Sequence, residues 1–231
     1  MCVRKIKVFN YILLFSAALL IFITLYLTIK AETGDNPFYF QDKPLKHVAF
    51  SFDVPGCDQI LEDLLITMEE KNIHSTFFVT ESWLKRNEDQ VKKILLKGHE
   101  IGKRTSTSFS IKNIDQNELS DKFDTFRILC LDLLEYEPYL FRPSSGEYNQ
   151  LIVATAAENN FQTIMWSIDA KDTQYDGSED ILEQIKSRMH YGAVVKFTGS
   201  PYLSSALELL ILYLRENDYE IVPVSELIKN K

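Results

Sequence analysis

Four histidines and three cysteines are all that 231 residues supply of the two side chains that most often hold a transition metal. The cysteines, Cys2, Cys57 and Cys130, form no C-x-x-C pair, which excludes a thiolate zinc site and a disulfide framework. Cys57 and Cys130 are expected as free buried thiols, with a pairing in an oxidising compartment as the other choice. Glycine and proline are sparse as well, at eight and seven residues. With 45% hydrophobic side chains, this composition excludes a disordered or low-complexity chain. Acid is absent altogether from the first thirty residues.

That last absence coincides with a run that has no charge at all. Residues 8–29 read VFNYILLFSAALLIFITLYLTI, a length that would span about 33 Å as a helix and cross a bilayer core. Arg4, Lys5 and Lys7 precede it. The pattern predicts a cytoplasmic segment at 1–7, a transmembrane signal anchor at 8–29 and a single-pass cell-membrane protein whose remainder is extracytoplasmic. A cleaved signal peptide is the alternative, but the run exceeds the usual h-region and TIKAET is a poor cleavage site. Beyond residue 30, 21 basic residues face 33 acidic ones, a net charge of −12. So acidic a body argues against nucleic acid as a partner and leaves a neutral glycan or a basic protein.

Residues 30–46 hold Gly34, Pro37 and Pro44 without a clear period and are expected to form a stalk. From His47 onward short β-rich runs alternate with helical ones. The strand candidates are 47–54, 75–80, 99–105, 139–144, 162–169, 192–198 and 220–224, with helical spacing over 58–72 and 204–219. Such β-α repetition implies parallel strands, either closed into a barrel or laid out as an open doubly wound sheet. Both arrangements put chemistry at the carboxyl ends of the strands. Those ends supply Asp53, then Arg104 with Thr105 to Ser108, Arg142 with Ser144, Asp169 with Asp172, and Thr198.

Four segments then occur in a telling order: HSTFFVT (74–80), LLKGHEIG (95–102), LFRPSSGEYN (140–149) and MWSIDAKD (165–172). Through them the chain from His47 to Lys229 resembles the NodB-homology polysaccharide deacetylases. The resemblance implies an α/β fold, a deformed seven-stranded (β/α) barrel over 47–231 preceded by the one transmembrane helix. It also implies a carbohydrate N-deacetylase chemistry, in which one Asp and two His hold a divalent metal, usually zinc, that activates water against an acetyl group. Here those three ligand positions fall on Val54, Arg104 and Ser108, and the position of the His that protonates the leaving amine falls on Thr198. Neither valine nor arginine ligates zinc, and a threonine hydroxyl is no general acid near neutral pH. The resemblance therefore implies no metal cofactor in this chain. His47, His74, His99 and His190 are expected in packing or surface roles, His190 on a helix. The loop after Asp53 is also shorter than the family's.

Three supporting positions are retained as vestigial or supporting catalytic residues: Asp53 matches the family's base, Arg142 the arginine that holds it, and Asp169 or Asp172 the acid that tunes the lost His. Asp53 and Arg142 are expected as a buried ion pair. Arg104 and Lys196 are expected to aim their charge into the space of the missing metal, opposite Asp53, Asp169 and Asp172; the alternative sends Arg104 to solvent. Tyr148 and Trp166 are candidate sugar-stacking faces, although Trp166, on a strand, is first a core residue, as are Phe77 and Phe78. Two functions follow. One is a membrane-anchored pseudoenzyme that binds N-acetylated cell-wall glycan or an envelope protein. The other is an active hydrolase of the family with metal-independent chemistry on Asp53 and a basic residue. A decayed copy without a role is a third, opposed weakly by the intact hydrophobic pattern.

Overall fold

Successive side chains of a strand face opposite ways, and in this protein the two faces meet different surroundings. In β1 (His47–Asp53), Val48, Phe50 and Phe52 enter the large core on the helix side, while Ala49, Ser51 and Asp53 face the other way. The alternation repeats in β2 (Thr76–Val79), β3 (Glu100–Arg104), β4 (Leu140–Arg142) and β7 (Ala193–Phe197). There Phe77, Ile101, Phe141 and Val195 join the helix-side core, and Phe78, Leu140 and Val194 the opposite one. The computed structural model describes residues 36–106 and 115–229. The anchor expected at 8–29 and Ser108 lie outside them; among the described residues no helix is long and apolar enough to cross a membrane.

All the ladders are parallel. The strand order is β5 (Gln162–Thr163), β4, β3, β2, β1, β7 and β6 (Ile168–Asp169), with β8 (Glu220–Val222) beside the start of β1. The product is an α/β curled half-barrel. Its outer layer comprises α1 (Val54–Cys57), α2 (Leu61–Glu70), α3 (Glu81–Arg86), α4 (Glu88–Leu96), α5 (Gln116–Leu134), α6 (Gln150–Glu158), α7 (Ser178–Lys186) and α8 (Leu203–Glu216). The apolar stripe of α8, Leu203, Leu207, Leu210 and Leu214, repeats at three- and four-residue spacing and is buried. Side-chain caps fix three helix starts: Thr80 for α3, Asp115 for α5 and Asn149 for α6 each accept hydrogen bonds from first-turn N–H groups.

Inside the curl, Phe38, Ala49, Phe78, Leu140, Ile164, Val194 and Val222 form an apolar floor with Val224 and Leu227 of α9 (Val224–Lys229). Gly102 lets this floor close. A Cβ there would stand 2.6 Å from the Phe78 ring and 3.2 Å from Leu140.

Two expectations need correction. The run 162–169 is not one strand but two, which makes eight strands among the described residues rather than seven. Phe38 is the cause. Its N–H donates to the Thr163 carbonyl (2.8 Å), and the Met165 N–H donates to the Phe38 carbonyl (2.7 Å), so the chain leaves β4's side before Ser167 N–H reaches Val194 O (3.1 Å) on the other. The second correction concerns the stalk. Phe38 is buried and Gln41 N–H donates to the Gly192 carbonyl (3.0 Å), so part of the expected stalk belongs to the folded body, ahead of His47.

One residue breaks the apolar rule of the outer face. Lys103 is 5% exposed, with its ammonium 4.8 Å above the Phe126 ring and 5.9 Å from that of Phe123. Burial lowers its pKa to about 8. Between about 8 and 10.5 the unfolded chain holds this proton and the folded chain does not, so stability rises with pH through that window. Below it, the full cost of burying the cation is present. Lys103→Met should therefore raise Tm at pH 7 by about 4–8 °C, the equivalent of ~2 kcal/mol, and flatten the rise at alkaline pH. A melting series in which Lys103→Met lowers Tm would refute this.

Candidate functional site

Above the floor the same inward face turns polar. Ser51 and Asp53 of β1, Arg104 of β3, Arg142 of β4 and Lys196 of β7 are all set there by strand parity, and β3–β4 register puts Arg104 directly opposite Arg142. The expected ion pair is present: Arg142 Nη1 lies 3.3 Å from Asp53 Oδ1. Arg142 is 0% exposed. Its other donors are also placed, Nη2 to Ser51 Oγ (2.9 Å) and Met165 O (3.2 Å), and Nε to Ile164 O (3.4 Å). Phe78 stacks beneath its guanidinium at 4.0 Å. Burial pulls the Arg142 pKa down to about 10, with Asp53 acting in the opposite direction.

Arg104 does not go to solvent. Its Nε stands 3.2 Å from Asp53 Oδ2, within ion-pair distance, yet the N–H is not aligned for a hydrogen bond. Asp53 thus lies between two guanidinia. Lys196, on the same inward face, pairs with one of the expected carboxylates, Asp169 Oδ2 at 2.8 Å, and lies over the Trp166 ring at 4.0 Å. Asp169 Oδ1 accepts from the Lys171 N–H (3.1 Å).

Asp172 turns out differently from expectation. It is fully buried, and its carboxylate accepts from the backbone N–H groups of Thr198 (2.9 Å), Gly199 (2.6 Å) and Ser200 (2.8 Å). It fastens the loop after β7. Asp172→Ala should cost about 3 kcal/mol in urea unfolding, because three backbone donors, that of Ser200 buried and the other two partly so, lose a charged acceptor; a change below about 1 kcal/mol would contradict that role. Thr198 enters the arrangement through its N–H.

The aromatic pair is also redistributed. Trp166 lies between β5 and β6, outside any strand, and is half-buried. Its ring packs over Gly146, where a Cβ would come within 2.8 Å. Tyr148 is exposed, and its hydroxyl meets that of Tyr39 at 2.8 Å. Phe77 and Phe78 are fully buried, as expected.

Val54 carries no donor and is 0% exposed. Cys57 and Cys130 are free and buried; burial and the charges of Asp172 and Asp53 push the Cys57 thiol up, away from the thiolate. The histidines sit elsewhere. His47 starts β1 and pairs with Glu220 Oε2 at 3.2 Å. His74 and His99 precede β2 and β3, and His99 Nδ1 accepts from the Ser75 N–H (3.1 Å), with burial lowering its pKa to about 4. His190 lies in the loop before β7, not on a helix, with its ring against Phe40. Among the described residues no three His, Cys, Asp or Glu side chains converge.

A family model described as polysaccharide deacetylase matches residues 40–164. The chain belongs to the polysaccharide deacetylase family. Among curated relatives, a peptidoglycan-N-acetylglucosamine deacetylase of Bacillus cereus is 28% identical over 193 residues, covering 80% of this chain and 90% of that protein. The uncharacterized protein YlxY of Bacillus subtilis is 27% identical over 187 residues, covering 81% of this chain. The chain spans 58% of the length of YlxY. Among solved structures, that of wild-type BA3943, described as a CE4 family pseudoenzyme from Bacillus anthracis, superposes with a TM-score of 0.79 at 24% identity, over 84% of this chain and 69% of that one. At that identity the likeness speaks for the fold.

Within the deacetylase fold, sequence reasoning missed Ser51 and the carbonyls of Ile164 and Met165 as partners of Arg142. Ser51 had a signal, since it lies two residues before Asp53 and so on the same face. The carbonyls had none. Chemically, the mouth of the half-barrel offers guanidinium donors around one carboxylate, and an indole face flanked by Lys196 and Arg142 at 4.0 and 5.5 Å.

Proposed function

We propose that this chain is a membrane-anchored, extracytoplasmic pseudoenzyme of the deacetylase family that binds N-acetylated cell-wall glycan without hydrolysing it. The observation that carries the reading is Arg104. At a position where the family resemblance expects a metal-ligating His, a guanidinium stands 3.2 Å from Asp53. The donor set does not fit zinc. Asp53 has one oxygen against Arg142 and the other against Arg104, Val54 presents only methyl groups, and the Cys57 thiol is held protonated. A fixed cation beside Asp53 takes the charge role of the dication, and among the described residues no donor set is left to hold a metal that would activate a water against an acetyl carbonyl.

The glycan part of the proposal draws on the family and on relatives named as peptidoglycan-N-acetylglucosamine deacetylases. The non-hydrolytic part has a precedent in BA3943, described as a pseudoenzyme. Anchoring draws on the charge-free run at 8–29. The test is elemental analysis and calorimetric zinc titration of the detergent-solubilised full chain, followed by incubation with tetrameric N-acetylglucosamine. No zinc bound in the micromolar range, oligomer binding and no acetate released are expected. Stoichiometric zinc would overturn the proposal by showing a metal site, and acetate release without zinc would overturn it in favour of the metal-independent hydrolase.

A further inference from the structure

Because β1, β7 and β8 run parallel, their amino ends gather at the end of the half-barrel opposite the mouth. Aromatic side chains collect there. Phe40 bridges Ala193 at the start of β7 and sets its ring against that of His190 at 5.4 Å. Tyr191, the next residue, meets the Tyr219 ring at 5.6 Å. Tyr219 leads into β8, where the Glu220 N–H donates to the carbonyl of Lys46 (2.7 Å), the neighbour of Leu45. These contacts join Phe40, Tyr191, Tyr219 and Leu45 into one surface. It is open rather than closed into the core, with Phe40 46%, Tyr191 44% and Leu45 40% exposed. Charges of both signs rim it, Lys43, Lys46 and Arg188 with Asp42, Asp218 and Glu220. The surface therefore offers rings rather than a net charge.

Rings with a polar tip, as in tyrosine, suit the headgroup layer of a bilayer, where one end is apolar and the other wet. The chain that leads to this surface is short. Residues 30–37, between the charge-free run and Phe38, extend at most about 28 Å, and Phe40 follows two residues later. Resting on the anchoring reading above, so short a tether keeps the bilayer at a high effective concentration beside the folded body. We infer that the surface formed by Phe40, Leu45, Tyr191 and Tyr219 lies in the headgroup layer of the bilayer. The mouth, at the carboxyl ends of the strands, then faces away from the membrane.

The test places the full chain in phosphatidylcholine vesicles whose upper acyl chains carry bromine, which quenches tryptophan on contact. Tyr191→Trp and Leu45→Trp report on the surface. Tyr202→Trp, exposed beyond the carboxyl end of β7, is the matched control. The parent, with Trp83 and Trp166, supplies the background. Bromine should dim the added signal about twofold or more at 191 and 45 and leave it unchanged at 202. Added salt should not alter this, since the contact carries no net charge. Equal quenching at all three positions would overturn the orientation. No bromine quenching at 191 and 45 would overturn the bilayer contact; acrylamide then separates a solvent-facing surface, which it quenches, from one covered by a second copy. Washing with alkaline carbonate separates this inference from the anchor. Quenching in a chain that carbonate strips from the vesicles would uphold the surface and overturn the anchor. A chain that resists carbonate but shows no quenching would overturn the surface and leave the anchor standing.

Discussion

Asp53→Asn is expected to destabilise the chain by about 3–5 kcal/mol, the cost of leaving buried charge unpaired. Arg104 and Arg142 occupy paired positions on neighbouring strands, and both are at least nine-tenths buried. Asp53 is the carboxylate between them. Without it, two guanidinia face each other in a site where burial already lowers the Arg142 pKa to about 10. The two arginines should not behave alike. Arg142→Met should cost as much as Asp53→Asn, because it strips Asp53 of its one aligned guanidinium hydrogen bond and leaves Ser51 and two carbonyls without their donor. Arg104→Met should cost less than about 1 kcal/mol, since Arg104 gives up no hydrogen bond and its removal relieves the repulsion. Urea unfolding of the three single variants measures this directly. Equal costs for the two arginines would contradict the asymmetry.

The second large effect is a gain. Val54→Asp, Arg104→His and Ser108→His, made together, place one carboxylate and two imidazoles at the positions to which the family resemblance assigns metal ligation. The triple variant is expected to bind zinc stoichiometrically, and the parent to bind none in the micromolar range. At a free zinc concentration of about a thousand times Kd, ligand linkage contributes about 4 kcal/mol, so Tm should rise by about 8–16 °C on adding zinc. Val54→Asp alone should have the opposite effect. It buries a second carboxylate next to Asp53 at a fully buried position, and destabilisation of about 3 kcal/mol or more is expected. A folded triple variant with no zinc response would show that more than the ligands has changed.

Much of the fold was legible because alternation and helical spacing are local. Seven β-rich runs all yielded strands, and Asp53, Arg104 and Arg142 were placed at strand ends, with Lys196 on the same side of its strand as Thr198. The Asp53–Arg142 pair was legible through the resemblance, which matches Arg142 to the arginine that holds the family's base. Three features were not. The split of 162–169 depends on Phe38, more than a hundred residues away, taking the ladder hydrogen bonds between Thr163 and Met165. Trp166 left the strand with that split. Lys103 reads as the polar residue of a half-exposed strand, and only the helix laid over β3, carrying Phe123 and Phe126, buries it.

The sequence by itself determined which residues stand at the strand ends and that positions 54 and 104 offer zinc no donor, because side-chain chemistry and two-residue periodicity need no partner. Only the tertiary structure decided what the charges do. A long arginine side chain has many rotamers of similar energy, so whether Arg104 reached solvent or Asp53 depended on β1 lying two strands away. Asp172 could become a catalytic partner or a clamp. It became a clamp because the loop after β7 turns three N–H groups toward it, and such donors converge only when the chain has folded.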